Sequence, residues 1–168
     1  MDINWSYKNK SRVFDTKENG GVPYLSFKAL DDTGLAVNGF STRMGGASRG
    51  KFSTMNFSYS RGDAAEDVLE NFTRMAAALG VERDRMVVSH QTHTVNLRRV
   101  TLEDAGKGVI RERDYRDIDG LITDVPGLTL VTFYADCVPL YLLDPVNRAI
   151  GLSHSGWRGT VKRMGQVT

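Results

Sequence analysis

The sequence predicts an α/β domain from three observations. One segment repeats its apolar residues at helical spacing, several short segments carry the apolar runs of strands, and reactive polar side chains stand just past three of those strands. The 168 residues are enough for one domain with a buried core. Hydrophobic residues at 40% and charged residues at 25% match a folded chain rather than a disordered one. Lys plus Arg is 22 and Asp plus Glu 20, and the net charge of +2 is too even to predict a nucleic-acid partner. No apolar run approaches the roughly 20 residues of a membrane helix. The opening MDINWSYKNKSR lacks the apolar stretch of a secretory signal. The single cysteine, Cys137, cannot form an internal disulfide, so a reducing cytoplasm is expected.

Residues 1–22 are polar, end in Gly20-Gly21, and read as a loosely held leader ahead of a domain over 23–168. PYLSF (23–27) and LAVNGF (35–40), separated by the turn signal Asp-Asp-Thr-Gly at 31–34, read as strands. A helix is predicted over 64–79. Asp63 is its expected cap with Glu66 as reciprocal partner, its apolar stripe is Val68, Phe72, Met75, Ala76 and Leu79, and Gly80 is its terminator. MVVSH (86–90) and VNLRRV (95–100) are strand material around a QTHT turn, and GLITD (120–124) follows a charged loop. LTLVTFYA (128–135) is apolar on both alternating faces apart from Thr129 and Thr132, as a strand buried on both sides would be. PLYLL (139–143) and AIGLSH (149–154) are two further strands around an Asp-Pro turn. The last segment, 157–168, opens a helix without a C-cap signal, so a C-terminally truncated chain is expected.

His93 falls beyond MVVSH, Asp136 and Cys137 beyond LTLVTFY, and His154 beyond AIGL. In open α/β sheets the carboxyl ends of strands are where ligands bind. Three histidines and one cysteine allow one mononuclear site and exclude a multinuclear copper centre within this chain. Taken singly, Cys137 reads as a small buried hydrophobe and each histidine as a structural group. Together they equally admit one shared site. His90, inside its strand and three positions from His93, is expected to point elsewhere. The same residues also permit a metal-free cysteine hydrolase, with Cys137 as nucleophile and His154 or His93 as base. An inert or partner-dependent fragment is the remaining reading. The Gly-rich segment 41–56 lacks the ending of a P-loop, which leaves Arg43, at a strand's end, as an anion ligand and Arg49 as an ordinary loop residue.

STRMGG (41–46), the region of Asn56, QTH (91–93), DGLIT (119–123), ADCVP (135–139) and HSGWRG (154–159) stand in the order found in a known family. Over residues 38–168 the chain resembles the laccase-domain family, historically called polyphenol oxidases and now regarded as zinc-dependent purine nucleoside phosphorylases with adenosine deaminase activity. The resemblance implies an α/β fold of layered mixed β-sheets flanked by helices, with His93, Cys137 and His154 as the metal ligands. It implies phosphorolysis of adenosine, inosine or methylthioadenosine with phosphate as co-substrate, and deamination of adenosine. Within that chemistry Arg43 and Arg158 are expected to hold phosphate, since a guanidinium grips it bidentately, and Asp136 to move a proton. Two departures are visible: Thr94 stands where the family usually has Gly, and the last portion of the family's fold is absent from these 168 residues.

Overall fold

The computed structural model describes Ser6 and residues 13–168. Residues 14–22, expected within a loose leader, instead open the first sheet. There β1 (Phe14–Asn19) and β2 (Val22–Phe27) form an antiparallel hairpin that turns on Gly20 and Gly21, both at positive φ. β1 carries no apolar alternation because it is an edge strand, exposed from Thr16 to Asn19 and with β2 as its one strand neighbour in the sheet. Apart from Ser6, the rest of the expected leader lies outside the described residues. A single turn, α1 (Lys28–Asp31), leads towards β3 (Phe40–Ser41), which completes the sheet β1-β2-β3. The strand expected over 35–40 shrinks to its last residue because a side chain replaces a neighbouring main chain. Asn38 accepts from the Phe27 N–H at 2.6 Å and donates to the Phe27 carbonyl at 3.4 Å.

The predicted helix forms as α2 (Ala65–Leu79), ended by Gly80 at φ 71°. Val68, Phe72, Met75 and Ala76 are buried as the stripe requires. The expected capping box is absent, and Ala64 holds the cap position. Asp63 is drawn into the preceding loop, where it accepts from the Asn56 amide at 2.8 Å and from the Ala64 N–H at 3.0 Å. The same helix buries one polar residue the stripe did not predict. Asn71 donates to Ser48 Oγ and to the Asn56 carbonyl and accepts from the Ala47 N–H, fastening the Gly-rich loop to the helix.

β4 (Met86–Val88) runs between two cores by simple alternation. Met86 and Val88 pack with Val68, Phe72 and Ala76 of α2, while Val87 faces Val100, Leu121, Leu130 and Leu152. β5 (Leu97–Arg99), β6 (Gly120–Thr123), β7 (Thr129–Val131), β8 (Val138–Asp144) and β9 (Ala149–Ser155) follow. β4 pairs with β7 in parallel, and a four-stranded mixed sheet has the order β5-β6-β9-β8. Only three residues of LTLVTFYA stay in a strand. Beyond Val131 the Thr132 and Tyr134 hydroxyls bond to each other, and the Phe133 main chain is taken by the side chain of Gln91. The short helices α3 (Trp157–Val161) and α4 (Met164–Val167) end the chain, and Met164 is fully buried. The architecture is the expected layered α/β arrangement, with one long helix. Among the described residues no helix is long and apolar enough to cross a membrane.

Asp104 anchors a buried polar network beside the larger core. Its carboxylate accepts from Lys107 Nζ at 2.7 Å, Arg98 Nη2 at 2.9 Å and the Thr101 N–H at 3.0 Å. Burial alone would raise its pKa. Lys107, the Thr101 N–H and Arg98 outweigh that and hold it at about 2, against an ordinary 3.8. A depressed carboxylate stabilises the fold above its unfolded pKa, and that contribution is lost as pH falls through the folded one. Asp104 alone should therefore contribute a loss of about 2 kcal/mol to urea unfolding between pH 4 and pH 2, and Asp104→Asn should make that limb shallower by about as much.

Candidate metal centre

Strand register assembles the site. β8 and β9 are antiparallel, with Val138 opposite Ser155 and Pro139 opposite His154, so Cys137, just ahead of β8, comes to the His154 end of β9. β6 is antiparallel to β9 with Gly120 opposite Ser153. Asp119 therefore meets His154, whose N–H donates to the Asp119 carbonyl at 2.7 Å. β5 runs parallel to β6 with Leu97 opposite Gly120, which brings the loop carrying His93 to the same end. Two expectations need correction here. His154 lies inside β9 and is buried, not past a strand's end, and Cys137 leads into a strand instead of directly following one. The ends that meet are of both polarities because the strand pairs are mostly antiparallel.

The structure gathers His93, Cys137 and His154 so that one donor atom from each lies within 4.8 Å of the others. Cys137 Sγ is 3.8 Å from His93 Nε2, and the two imidazoles meet edge to face at 4.9 Å between centroids. Among the described residues this is the one group of three or more His, Cys, Asp or Glu donors so arranged. His90 stands apart, as expected: its Nδ1 accepts from the Asp117 N–H and its main chain pairs with Ile118.

Asp119, whose side chain is fully buried, ties the centre together, and the sequence did not single it out. Its carboxylate accepts from the N–H groups of Thr92, His93 and Thr94 at 3.1, 2.9 and 2.8 Å, from the Thr94 hydroxyl at 2.8 Å, and from His154 Nδ1 at 2.8 Å. Three consecutive N–H groups converging on one carboxylate explain why His93 holds φ at 65°, a left-handed conformation that a non-glycine residue keeps only where its surroundings demand it. The residue at positive φ is His93 itself, so Thr94 replaces the usual glycine without strain and adds a hydroxyl to the cluster. Burial works against ionisation of Asp119, but the Thr92 and Thr94 N–H groups, His154 and the Thr94 hydroxyl prevail and lower its pKa. The signal was present in DGLIT, yet Asp-Gly ahead of a strand reads as turn chemistry.

The donor set fits a metal ion of the zinc type. Two imidazoles and one thiolate are its preferred ligands, and the Asp119 bond to His154 Nδ1 leaves Nε2 of that ring for the ion. Space has been kept for this cluster: a Cβ on Gly156 would stand 2.9 Å from Cys137 Sγ and 3.0 Å from His93 Cδ2. Burial, the Asp136 charge and a bond to that carboxylate at 3.7 Å all push the pKa of the Cys137 thiol up.

The other expected residues are more scattered. Asp136 is exposed beside Cys137. Arg43 donates to the Ser53 carbonyl at 2.8 Å and lines a cavity of about 470 Å³ whose walls include Phe40, Phe57, Phe133 and Tyr134. Tyr134 links this cavity to the centre, its ring 5.7 Å from that of His154. Arg158 is exposed, lies over the Trp157 ring at 5.4 Å, and is not among the residues lining the cavity. The glycines of 41–56 serve close packing: a Cβ on Gly45 would meet the Gly21 carbonyl at 2.5 Å, and one on Gly46 the Thr54 carbonyl at 2.0 Å. Arg49 is exposed, in keeping with its reading as a loop residue.

Residues 37–168 match the family described as multi-copper polyphenol oxidoreductase laccase. A purine nucleoside phosphorylase, YlmD, of Geobacillus stearothermophilus is 39% identical over 129 residues, which cover 74% of this chain and 46% of that protein. A purine nucleoside phosphorylase of Deinococcus radiodurans is 39% identical over 135 residues, 80% of this chain and 49% of its own. The crystal structure of the Geobacillus YlmD superposes with a TM-score of 0.78 at 36% identity, covering 90% of this chain and 55% of that one. The chain thus spans about half the length of the curated relatives it matches.

Proposed function

Since the chain belongs to the family of multi-copper polyphenol oxidoreductase laccases, and its curated relatives are named purine nucleoside phosphorylases, we propose that it serves purine nucleoside metabolism through a zinc ion held by His93, Cys137 and His154. The observation that carries this reading is the convergence of those three donors to within 4.8 Å from three separate segments. The reactions are phosphorolysis of adenosine, inosine or methylthioadenosine, and deamination of adenosine. When bound, the ion supplies Lewis acidity and brings the pKa of a coordinated water towards neutrality.

The remaining work falls to side chains. In phosphorolysis a phosphate oxygen bonds to ribose C1′ while the C1′–N9 bond breaks and the purine leaves with a proton. Arg43 holds the phosphate in the cavity that Tyr134 also lines, whereas Arg158, expected as a second phosphate ligand, lies over the Trp157 ring and away from that cavity. The aromatic walls of that cavity suit a purine ring. In deamination a water oxygen bonds to C6 of the purine while the C6–N6 bond breaks, and Asp136, beside Cys137, passes a proton from that water to the departing ammonia. A reducing cytoplasm, expected from the lone cysteine, keeps the thiol available. The family's description invokes several coppers, but the three histidines and one cysteine of these 168 residues cannot supply a multinuclear centre. A metal-free cysteine hydrolase would need a depressed thiol pKa at Cys137, whereas its surroundings raise it.

The test is zinc analysis of purified protein together with product analysis from adenosine and inosine, with and without phosphate. About one zinc per chain is expected, along with phosphate-dependent release of free base and conversion of adenosine to inosine. A chain that binds no metal and whose Cys137 is alkylated equally fast with and without zinc would overturn the zinc reading. A zinc-loaded chain inert on every nucleoside would instead leave a fragment dependent on polypeptide outside these residues.

A further inference from the structure

Three segments far apart in the chain supply the three donors, and none of the ligands is bonded to another strongly enough to hold the set. The contact between Cys137 Sγ and His93 Nε2 is 3.8 Å. The β8–β9 ladder and the Tyr134 hydroxyl, which donates to the Ser153 carbonyl at 3.1 Å, already join the Cys137 segment to β9, whereas the loop of His93 is tied to those two segments through two side chains that are not ligands. Asp119 joins the 92–94 loop to β9, since one carboxylate accepts from the Thr92, His93 and Thr94 N–H groups and from the His154 ring. Gln91 joins the same loop to the segment that leads into Cys137. Its Nε2 donates to the Phe133 carbonyl at 2.6 Å and its Oε1 accepts from the Phe133 N–H at 2.7 Å, so the side chain pairs with Phe133 as a neighbouring strand would. The Ser89 hydroxyl fixes the same Oε1 at 2.9 Å.

We propose that Asp119 and Gln91 are positioning residues that assemble the metal-binding trio before the ion arrives, Asp119 setting the two imidazoles and Gln91 setting the approach of Cys137. This rests on the zinc reading above. The physical basis is preorganisation: donors already in place do not have to lose freedom on binding, and a carboxylate on the far nitrogen of a ligand histidine fixes its tautomer and orientation. Asp119 is suited to the task because its oxygens only accept and all five groups around them donate. In Asp119→Asn one acceptor becomes an NH₂ that faces donors. The Thr94 hydroxyl is the one side-chain donor in the cluster that can be removed without touching a ligand.

The experiment titrates zinc against a chelating dye, and follows cobalt by its thiolate charge-transfer band, in wild type, Asp119→Asn, Gln91→Ala and Thr94→Ala. Thermal unfolding of each metal-free protein is measured alongside. Asp119→Asn should bind zinc 10- to 100-fold more weakly. Gln91→Ala should lose roughly 3- to 10-fold through its two bonds to Phe133, and Thr94→Ala about 3-fold. All four metal-free proteins should unfold cooperatively, and at saturating cobalt Asp119→Asn should keep the thiolate band because Cys137 is untouched. If Asp119→Asn does not fold, Thr94→Ala decides for that carboxylate. Affinities within twofold of wild type in these variants overturn the positioning role while the zinc reading stands. A wild-type chain that takes up neither metal overturns the zinc reading, and the positioning role with it.

Discussion

Cys137→Ala is expected to abolish zinc binding while leaving the metal-free fold intact. The thiolate is the one anionic donor of the three, so its removal leaves two neutral imidazoles facing a dication, a set too weak to compete for zinc. The fold loses little, because Cys137 is only partly buried and its nearest polar contacts are 3.7 and 3.8 Å long. A change of at most about 0.5 kcal/mol is expected for such a position. The decisive measurement is the melting temperature with and without zinc. An ion at 100 times its dissociation constant stabilises the wild type by about 2.7 kcal/mol, and Cys137→Ala should show none of this gain. Because burial and Asp136 raise the thiol's pKa, zinc must displace a proton, so the wild-type affinity should rise with pH below that pKa. An unchanged zinc-induced shift in the variant would remove Cys137 from the site.

Gly156→Ala should be nearly as damaging to the metal, and for a different reason. Its backbone, at φ −76° and ψ −176°, is open to any residue, so a methyl group brings no conformational strain. The obstacle is space: the new carbon would stand 2.9 Å from Cys137 Sγ and 3.0 Å from His93 Cδ2, well inside contact distance. Relief requires spreading two ligands by several tenths of an ångström, and affinity should fall about 10- to 100-fold. Gly159→Ala is the control in the same segment, since its Cβ would meet nothing closer than Ser155 Oγ at 3.3 Å. Equal zinc affinities in these two variants would mean that Gly156 leaves no room specific to the metal.

The sequence revealed most where one residue's environment repeats. The stripe of α2 recurs often enough to place its buried face, and the apolar runs behind β4, β8 and β9 were visible for the same reason. β1 was missed because an edge strand with four exposed polar residues carries no alternation to detect. β3 and β7 came out shorter than expected because side chains took main-chain partners, Asn38 at Phe27 and Gln91 at Phe133, an exchange that no local pattern records. The three residues of the candidate centre, His93, Cys137 and His154, were legible as rare residues near strand ends. Asp119 was not, because its five donors are contributed by residues 25 to 35 positions away.

The pairing of β8 with β9 has a consequence for how the chain matures. His93 and Cys137 are 44 residues apart, so no locally folded piece of the chain contains the pair. The donors meet where the hairpin docks against β6, whose register pairs residues 27 to 33 positions apart, contacts that cost more loop-closure entropy than the hairpin's own. A hairpin displaced by a single residue would turn the side chains of β9, His154 among them, to the opposite face. Such a species would lack the buried His154 donor of the candidate centre. Under the zinc reading proposed above, the rate at which newly folded chains capture the ion would report on that pairing.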